Sequence, residues 1–264
     1  MMNLFEDAID RTDLVWTLSR DSSGTAGSYL KSYEIVEGRK IYYKMSRYDS
    51  RRGIIGHESI NEIICMNIAN QLGFDTLQYE PIYCKVKVND SVFKTIITKS
   101  YDFKRPGDKT LSLEDYCDIV HQKDQTSLDI FLALDEEYCY AMLVLDYLIF
   151  NRDRHGANVE VLYNNGQYRL APLFDHGLSF MCSCETESDF EGFDIMKTGP
   201  VNNYIGYFDV EKNLQYVPKV FIEGLRKPTD IFAGMDTIKW CMPKIFWSKT
   251  KDMFDRRFDY VKKL

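Results

Sequence analysis

The sequence has no excess of positive charge. Its 33 Lys and Arg are outnumbered by 40 Asp and Glu, for a formal net charge of −7, and no basic block stands out. A chain whose main partner is DNA or RNA presents a basic face, so no direct nucleic-acid partner is expected. A long apolar run is missing too. The longest, Tyr138 to Phe150, covers 13 residues and is interrupted by Asp146, whereas a bilayer-spanning helix needs about 20. The opening MMNLFEDAIDRTDL carries acids where a signal peptide needs bases and an apolar core. These features predict a cytoplasmic protein without membrane attachment, with secretion as an effector left open. Seven cysteines, an odd and scattered set, do not make the even framework of a small secreted domain. Cys182 and Cys184 have no second close pair or nearby His to complete a zinc tetrad, so the thiols are read as reduced and structural. Neither an internal repeat nor a low-complexity linker is visible.

What the chain does contain is aromatic and patterned. Its 18 Tyr and 16 Phe argue for packed structure. SYLKSYEIVEGRKIYYKMS, residues 28–46, reads as two strands turning at Glu37-Gly38. In GHESINEIICMNIANQLGF the isoleucines at 60, 63, 64 and 68, with Leu72, follow helical spacing, and Gly73 stops the run. LQYEPIYCKVKVNDSVFKTIITKSYDF supplies two more strands around Asn89-Asp90. After KRPGDKT the character changes. Ser112 and Asp115 stand in a capping-box relation, LDEEYCYAMLVLDYLIF is apolar on most faces, as a buried helix would be, and VEVLYNNGQYRLAPLF is a hairpin around Asn164-Asn165-Gly166. Helices with Trp240, Phe246, Trp247, Phe254 and Phe258 as core are expected over 211–264. The fold class is thus α+β: a mainly β first part and a mainly α second part, meeting near 102–108.

One stretch holds an unusual density of polar groups. DYLIFNRDRHGANVEVL, residues 146–162, brings Asp153, Arg154, His155 and Asn158 together directly after the buried helix. Asp153 and Asn158 fall in the loop between that helix and the hairpin, and the second hairpin strand delivers Asp175, 22 residues after Asp153. Two acids and an amide, all oxygen ligands suited to Mg²⁺, should therefore meet at one edge of one hairpin. Phosphoryl transfer from ATP needs such a set: a loop Asp to orient or deprotonate the attacking hydroxyl, and an Asn and a second Asp for the metal ions. Lys44 on the second strand is placed for the α/β-phosphates, with Glu62 as its ion-pair partner and Glu58 as the competing candidate. The stretch containing Ser22, Ser23, Gly24, Thr25, Gly27 and Ser28 offers N–H and hydroxyl groups to phosphate. Backbone groups of Lys99, Ser100 and Tyr101 are candidates for pairing with adenine.

NRDRHGAN and LAPLFDHG, preceded by the INE helix and the TKSYD strand, resemble the HipA-like serine/threonine kinases. More distantly the loop is similar to that of the phosphoinositide 3- and 4-kinases. The resemblance covers roughly residues 20 to 180. It implies a two-lobed protein-kinase-like fold, with an N-lobe over 1–102 and a helical C-lobe over 103–264. It implies Asp153 as catalytic acid/base, Asn158 and Asp175 as Mg²⁺ ligands, Lys44 as the ATP lysine, Glu62 as its partner, and His155 as a loop-orienting or γ-phosphate group. Its implied cofactors are ATP and Mg²⁺, and its implied acceptor is a serine or threonine of a protein substrate.

Two departures stand out. The sequence shows no counterpart of the extra N-terminal subdomain of HipA toxins, so their DNA-binding antitoxin is not implied, although an antitoxin or other regulatory protein remains a candidate partner. The phosphate loop is serine-dense and is not G-x-G-x-x-G. By resemblance, Ser22, Ser23, Thr25 and Ser28 are candidate autophosphorylation sites that would switch activity off. A small-molecule or lipid kinase, or a nucleotide-binding pseudokinase, are the alternatives. The acidic run CETESDFEGFD argues against anionic lipid. Cys182 and Cys184 are read as small loop residues in preference to a redox switch.

Overall fold

Alternation and turn chemistry build the first half of the chain. In the computed structural model, which describes residues 8–18 and 29–264, β1 (Ile9–Asp10), β2 (Thr17–Leu18), β3 (Leu30–Val36), β4 (Arg39–Met45), β7 (Tyr79–Val88) and β8 (Ser91–Tyr101) form one sheet in the order β1-β7-β8-β4-β3-β2. β1 runs parallel to β7 and the other pairs are antiparallel. The β3–β4 turn is Glu37-Gly38, with φ of 51° and 78°, the doubly positive backbone that suits a two-residue hairpin. A small ribbon, β5 (Tyr48–Asp49) and β6 (Gly53–Ile54), leads into helix α1 (Glu58–Leu72). That helix ends as the sequence indicates, on Gly73 in the left-handed region at φ 79°.

Along β4 the residues alternate between two faces. Ile41, Tyr43 and Met45 join Leu14, Leu30, Val86 and Ile97 in a small core on the outer face. Tyr42 and Lys44 point the other way, into a cleft. Period-2 geometry therefore puts the lysine on the functional side as a consequence of burying its neighbours.

The second half is packed around α4 (Glu136–Ile149), buried over most of its length. α2 (Leu113–Val120) starts at the expected capping box of Ser112 and Asp115, and α3 (Ser127–Leu134) at a second box made by Thr126 and Asp129. The hairpin of β11 (Glu160–Asn164) and β12 (Gln167–Leu170) turns on Asn165 and Gly166, and gains a third strand, β9 (Lys109–Ser112), that periodicity did not indicate. β10 (Asp153–Arg154) pairs in parallel with β13 (Asn202–Asn203). α5 (Glu187–Gly192), α6 (Val210–Asn213), α7 (Lys219–Gly224) and α8 (Lys244–Val261) complete the helices.

The helical stretches expected over 211–264 are α6, α7 and α8, with turns and one short 3₁₀ segment over 225–243 between the last two. One core expectation there needs correction. Trp240 is 41% exposed and is not core; it packs edge-on against Tyr83 while its indole N–H donates to Thr237 O. Phe246, Phe254 and Phe258 are buried as expected, and Trp247 is half-buried against Phe232 and Phe246. No helix among the described residues is long and apolar enough to cross a membrane.

Candidate active site

Asp146, the acid that interrupts the apolar helix, explains the polar cluster that follows. Its buried carboxylate accepts from Arg154 Nε at 3.0 Å and Nη2 at 2.8 Å, and from Asn151 Nδ2 at 2.9 Å. The remaining nitrogen, Arg154 Nη1, donates to Asn158 O at 3.0 Å and to Phe174 O at 3.2 Å. One buried guanidinium thus ties the end of α4 to the loop after it and to the residue before Asp175. A planar, multiply donating group is needed for that, which Lys could not replace.

Within this frame Asp153 is nearly buried. Its Oδ1 accepts from Asn202 Nδ2 at 2.8 Å, across the β10–β13 pair, and His155 Nε2 lies 3.8 Å from Oδ2. Asn158 Nδ2 donates to Asp153 O at 2.8 Å, which leaves the amide oxygen as the atom free for a cation. His155 Nδ1 accepts from Ala157 N at 3.2 Å. A neutral His155 therefore carries its proton on Nε2, facing Asp153.

Lys44 meets the expected acids. Its ammonium donates to Glu62 Oε1 at 2.7 Å and to Asp175 Oδ1. Glu58, the competing partner, is engaged elsewhere: it accepts from Arg47 N at 3.0 Å and from the Tyr29 hydroxyl. The second oxygen of Glu62 accepts from His176 N at 2.8 Å, and Asn61 Nδ2 donates to Gly177 O and Ser179 O, both at 2.9 Å. Successive residues of α1 therefore hold the lysine and the Asp175 loop. Gly177 keeps this approach close: a Cβ there would stand 3.0 Å from Glu58 Cβ, so a larger residue would have to push Glu58 aside.

Burial opposes the charge on Lys44, but the carboxylates of Asp175 and Glu62 outweigh it and hold the ammonium well above its ordinary pKa. Burial likewise opposes ionisation of Asp175, and Lys44 overrides it, keeping the carboxyl below the usual range. His176 is fully buried, which holds it neutral. Arg152 Nη2 donates to Cys182 Sγ at 2.6 Å, yet burial pushes that thiol up to about 11. With Cys184 also buried, both are packing residues here.

A cleft of about 220 Å³ opens between the sheet and the hairpin, lined among others by Tyr42, Lys44, Ser100, Phe103, Phe174 and Asp175. The backbone expected to pair with adenine, Lys99 to Tyr101, is the end of β8, where Tyr101 pairs with β4 alone. Lys99 and Ser100 lie where β8 is paired on both sides, to β4 and to β7. The Lys99 side chain turns away to Glu80 and to the Tyr101 hydroxyl. Beyond the strand end, Asp102, Phe103 and Lys104 line the cleft with Ser100 and offer the backbone at its edge. Ser22, Ser23, Gly24, Thr25, Gly27 and Ser28 lie outside the described residues.

For magnesium, the chemistry fits. Asp175, which lines the cleft, and Asn158 both carry hard oxygen donors, and Arg154 ties their two segments together by bonding both Asn158 O and Phe174 O. Sequence reading missed Asn202, the Asp146–Arg154 pair and Lys31, which lies directly across from Lys44 in the β3–β4 register and lines the cleft. Only Asp146 carried a signal, as the acid that interrupts the apolar run of α4.

The HipA-like C-terminal domain family matches residues 33–199. Among solved structures, the Helicobacter pylori proinflammatory kinase CtkA is similar over 97% of both chains, with 16% identity and a TM-score of 0.64. HipA of Shewanella oneidensis MR-1, in complex with HipB and operator DNA, aligns over 91% of this chain and 67% of its own, with 15% identity and a TM-score of 0.46. A golgi casein kinase aligns over 90% and 70%, with 12% identity and a TM-score of 0.40. No curated protein sequence matches. At these identities the likeness to CtkA is one of fold: α+β and protein-kinase-like, sheet-rich in its first part and helical in its second.

Proposed function

This chain belongs to the HipA-like C-terminal domain family, and on that premise we propose that it is an ATP-dependent serine/threonine protein kinase. The observation that carries the reading is the convergence on one cleft of Lys44, held between Glu62 and Asp175, with Asp153 and Asn158 tied to the same frame through Arg154. Lys44 neutralises the α/β-phosphates. Asp153, its carboxylate aimed by Asn202, receives the proton of the attacking serine or threonine hydroxyl as the bond to the departing ADP breaks. Asn158 and Asp175 would hold Mg²⁺, which supplies charge neutralisation at the phosphate oxygens. His155 steadies the Asp153 side chain from its second oxygen.

Control by autophosphorylation at Ser22, Ser23, Thr25 or Ser28, and a regulatory protein of antitoxin type, belong to the same proposal. Its substrate is a protein with a hydroxyl acceptor, and its compartment the cytoplasm.

The test is intact mass after incubation with MgATP, alone and with a generic serine/threonine protein substrate, for wild type beside Asp153→Ala. Phosphate appearing on wild type or substrate, and on neither with the variant, is expected; the variant should still bind ATP. ATP binding without phosphate on any protein would overturn the protein-kinase reading in favour of a small-molecule kinase or a binding module.

A further inference from the structure

Glu160 is a charged side chain on the floor of the nucleotide cleft with no assigned task. It begins β11, the strand that follows Asn158, and its main chain is fixed by pairing with Ser112 and by Ala171 N donating to its carbonyl at 2.9 Å. The carboxyl reaches the cleft wall. Its Oε2 is shielded from solvent and has no hydrogen-bond partner among the described residues. A buried carboxylate oxygen left unpaired costs more than a typical hydrogen bond contributes, so such an atom in a ligand cleft points to a donor brought by the ligand.

Position narrows that donor. At one end of the cleft the Phe103 and Phe174 rings lie 6.0 Å apart beside the strand-end backbone, a place for a flat base. At the other end Lys44 and Asp175 define the phosphate side. Glu160 lines the same cleft as both ends, together with Asp102 and Lys104 from the base end and Lys31, which pairs across from Lys44, from the phosphate end. A nucleotide laid along this line sets its sugar over Glu160. Ribose offers two adjacent hydroxyl donors, and a carboxylate has acceptor sites for both. Burial pushes this carboxyl's pKa upward, as expected of an acid awaiting partners.

We propose that Glu160 is the residue that reads the sugar, its carboxylate accepting the 2′- and 3′-hydroxyls of a ribonucleoside triphosphate. The assignment rests on the nucleotide-binding reading above. Hydrogen bonds to a charged acceptor of this kind change affinity by roughly tenfold or more.

The experiment is equilibrium titration with MgATP, 2′,3′-dideoxy-ATP and GTP, using wild type, Glu160→Gln and Glu160→Leu, each checked for a cooperative melt. Wild type should bind ATP roughly tenfold more tightly than the dideoxy analogue. Glu160→Leu should bind both alike, at the dideoxy level, with Glu160→Gln between. Persistence of the sugar preference in Glu160→Leu would overturn the assignment, as would equal weakening of ATP and dideoxy-ATP. A change confined to the ATP-to-GTP ratio would make Glu160 a base reader and also overturn it. Wild type that binds ATP without sugar preference sinks the Glu160 assignment alone; wild type that binds no nucleotide sinks the reading beneath it too. If Glu160→Leu does not fold, Glu160→Gln against wild type carries the same comparison.

Discussion

At the scale of single residues, the carboxylate of Asp153 depends on a neighbour 49 positions away. The Asn202 amide is its closest side-chain donor, at 2.8 Å. Asn202→Ala frees the carboxylate to rotate without altering its charge. A reacting group misplaced by a fraction of an ångström loses rate more than binding, so kcat should fall by about tenfold to a hundredfold while ATP affinity stays near wild type. Steady-state kinetics beside a direct ATP titration would separate the two, and a matched loss of affinity would refute a positioning role. His57 makes a different prediction. It is buried between the rings of Phe190 and Phe246, at centroid distances of 5.7 and 5.1 Å, and burial lowers its pKa from 6.5 to about 4. The unfolded chain binds this proton below about pH 6.5 and the folded chain not until about 4. The stabilisation is therefore complete above pH 6.5 and is lost as pH falls through that window, by up to about 3 kcal/mol. His57→Phe should flatten melting temperature against pH over this range; an unchanged slope would show that His57 is not the group responsible.

At the scale of elements, the ion pair that ties α4 to the loop after it carries the geometry. Asp146 and Arg154 are almost wholly buried and doubly bonded. Removing one partner strands the other's charge, so Asp146→Ala should cost about 3–5 kcal/mol in denaturant unfolding. Asp146→Leu with Arg154→Met should cost less than the single change, because no buried charge is left alone. A double variant worse than either single would place the energy in the guanidinium's bonds to Asn158 O and Phe174 O.

The same elements show what the sequence made legible. β3, β4, α1, β7, β8, α4 and the β11–β12 hairpin were readable because apolar period and turn residues agreed: Gly38, Gly73 and Gly166 each sit at the positive φ their turn demands. Lys44, Glu62, Asp153, Asn158 and Asp175 were readable because a strand, a helix and a hairpin fixed their relative order. Where the signal was non-local, it failed. β9 is a strand only because β11 lies beside it, Asn202 reaches Asp153 through a two-residue parallel pair, and Lys31 enters the cleft by cross-strand register. Trp240 was read as core with the other aromatics of 211–264, but it stays at the surface in edge contact with Tyr83.

At the scale of the whole molecule, the cleft joins two separately packed parts. The outer face of the sheet has its own small core, while α1, α4 and the later helices share the large one. Polar contacts cross between sheet and helical part at the cleft, where Lys44 meets Asp175, and between the segment after β4 and the helical part, where Arg47 and Arg52 grip Glu185. A ligand that contacts both parts adds its binding energy to the folded state alone. Nucleotide at a hundred times its Kd should stabilise by about 2.7 kcal/mol, which for a chain of this size is a rise of roughly 5–10 °C in Tm. Lys44→Met removes the cation assigned to the phosphates in the proposed function and strands Glu62, which is fully buried. The variant should melt earlier in the absence of ligand, and MgATP should raise its Tm far less than it raises that of wild type. Thermal melts of both proteins with and without MgATP check this directly. An equal shift in the two would mean that nucleotide binds away from Lys44, and that the cleft between the sheet and the hairpin is not its site.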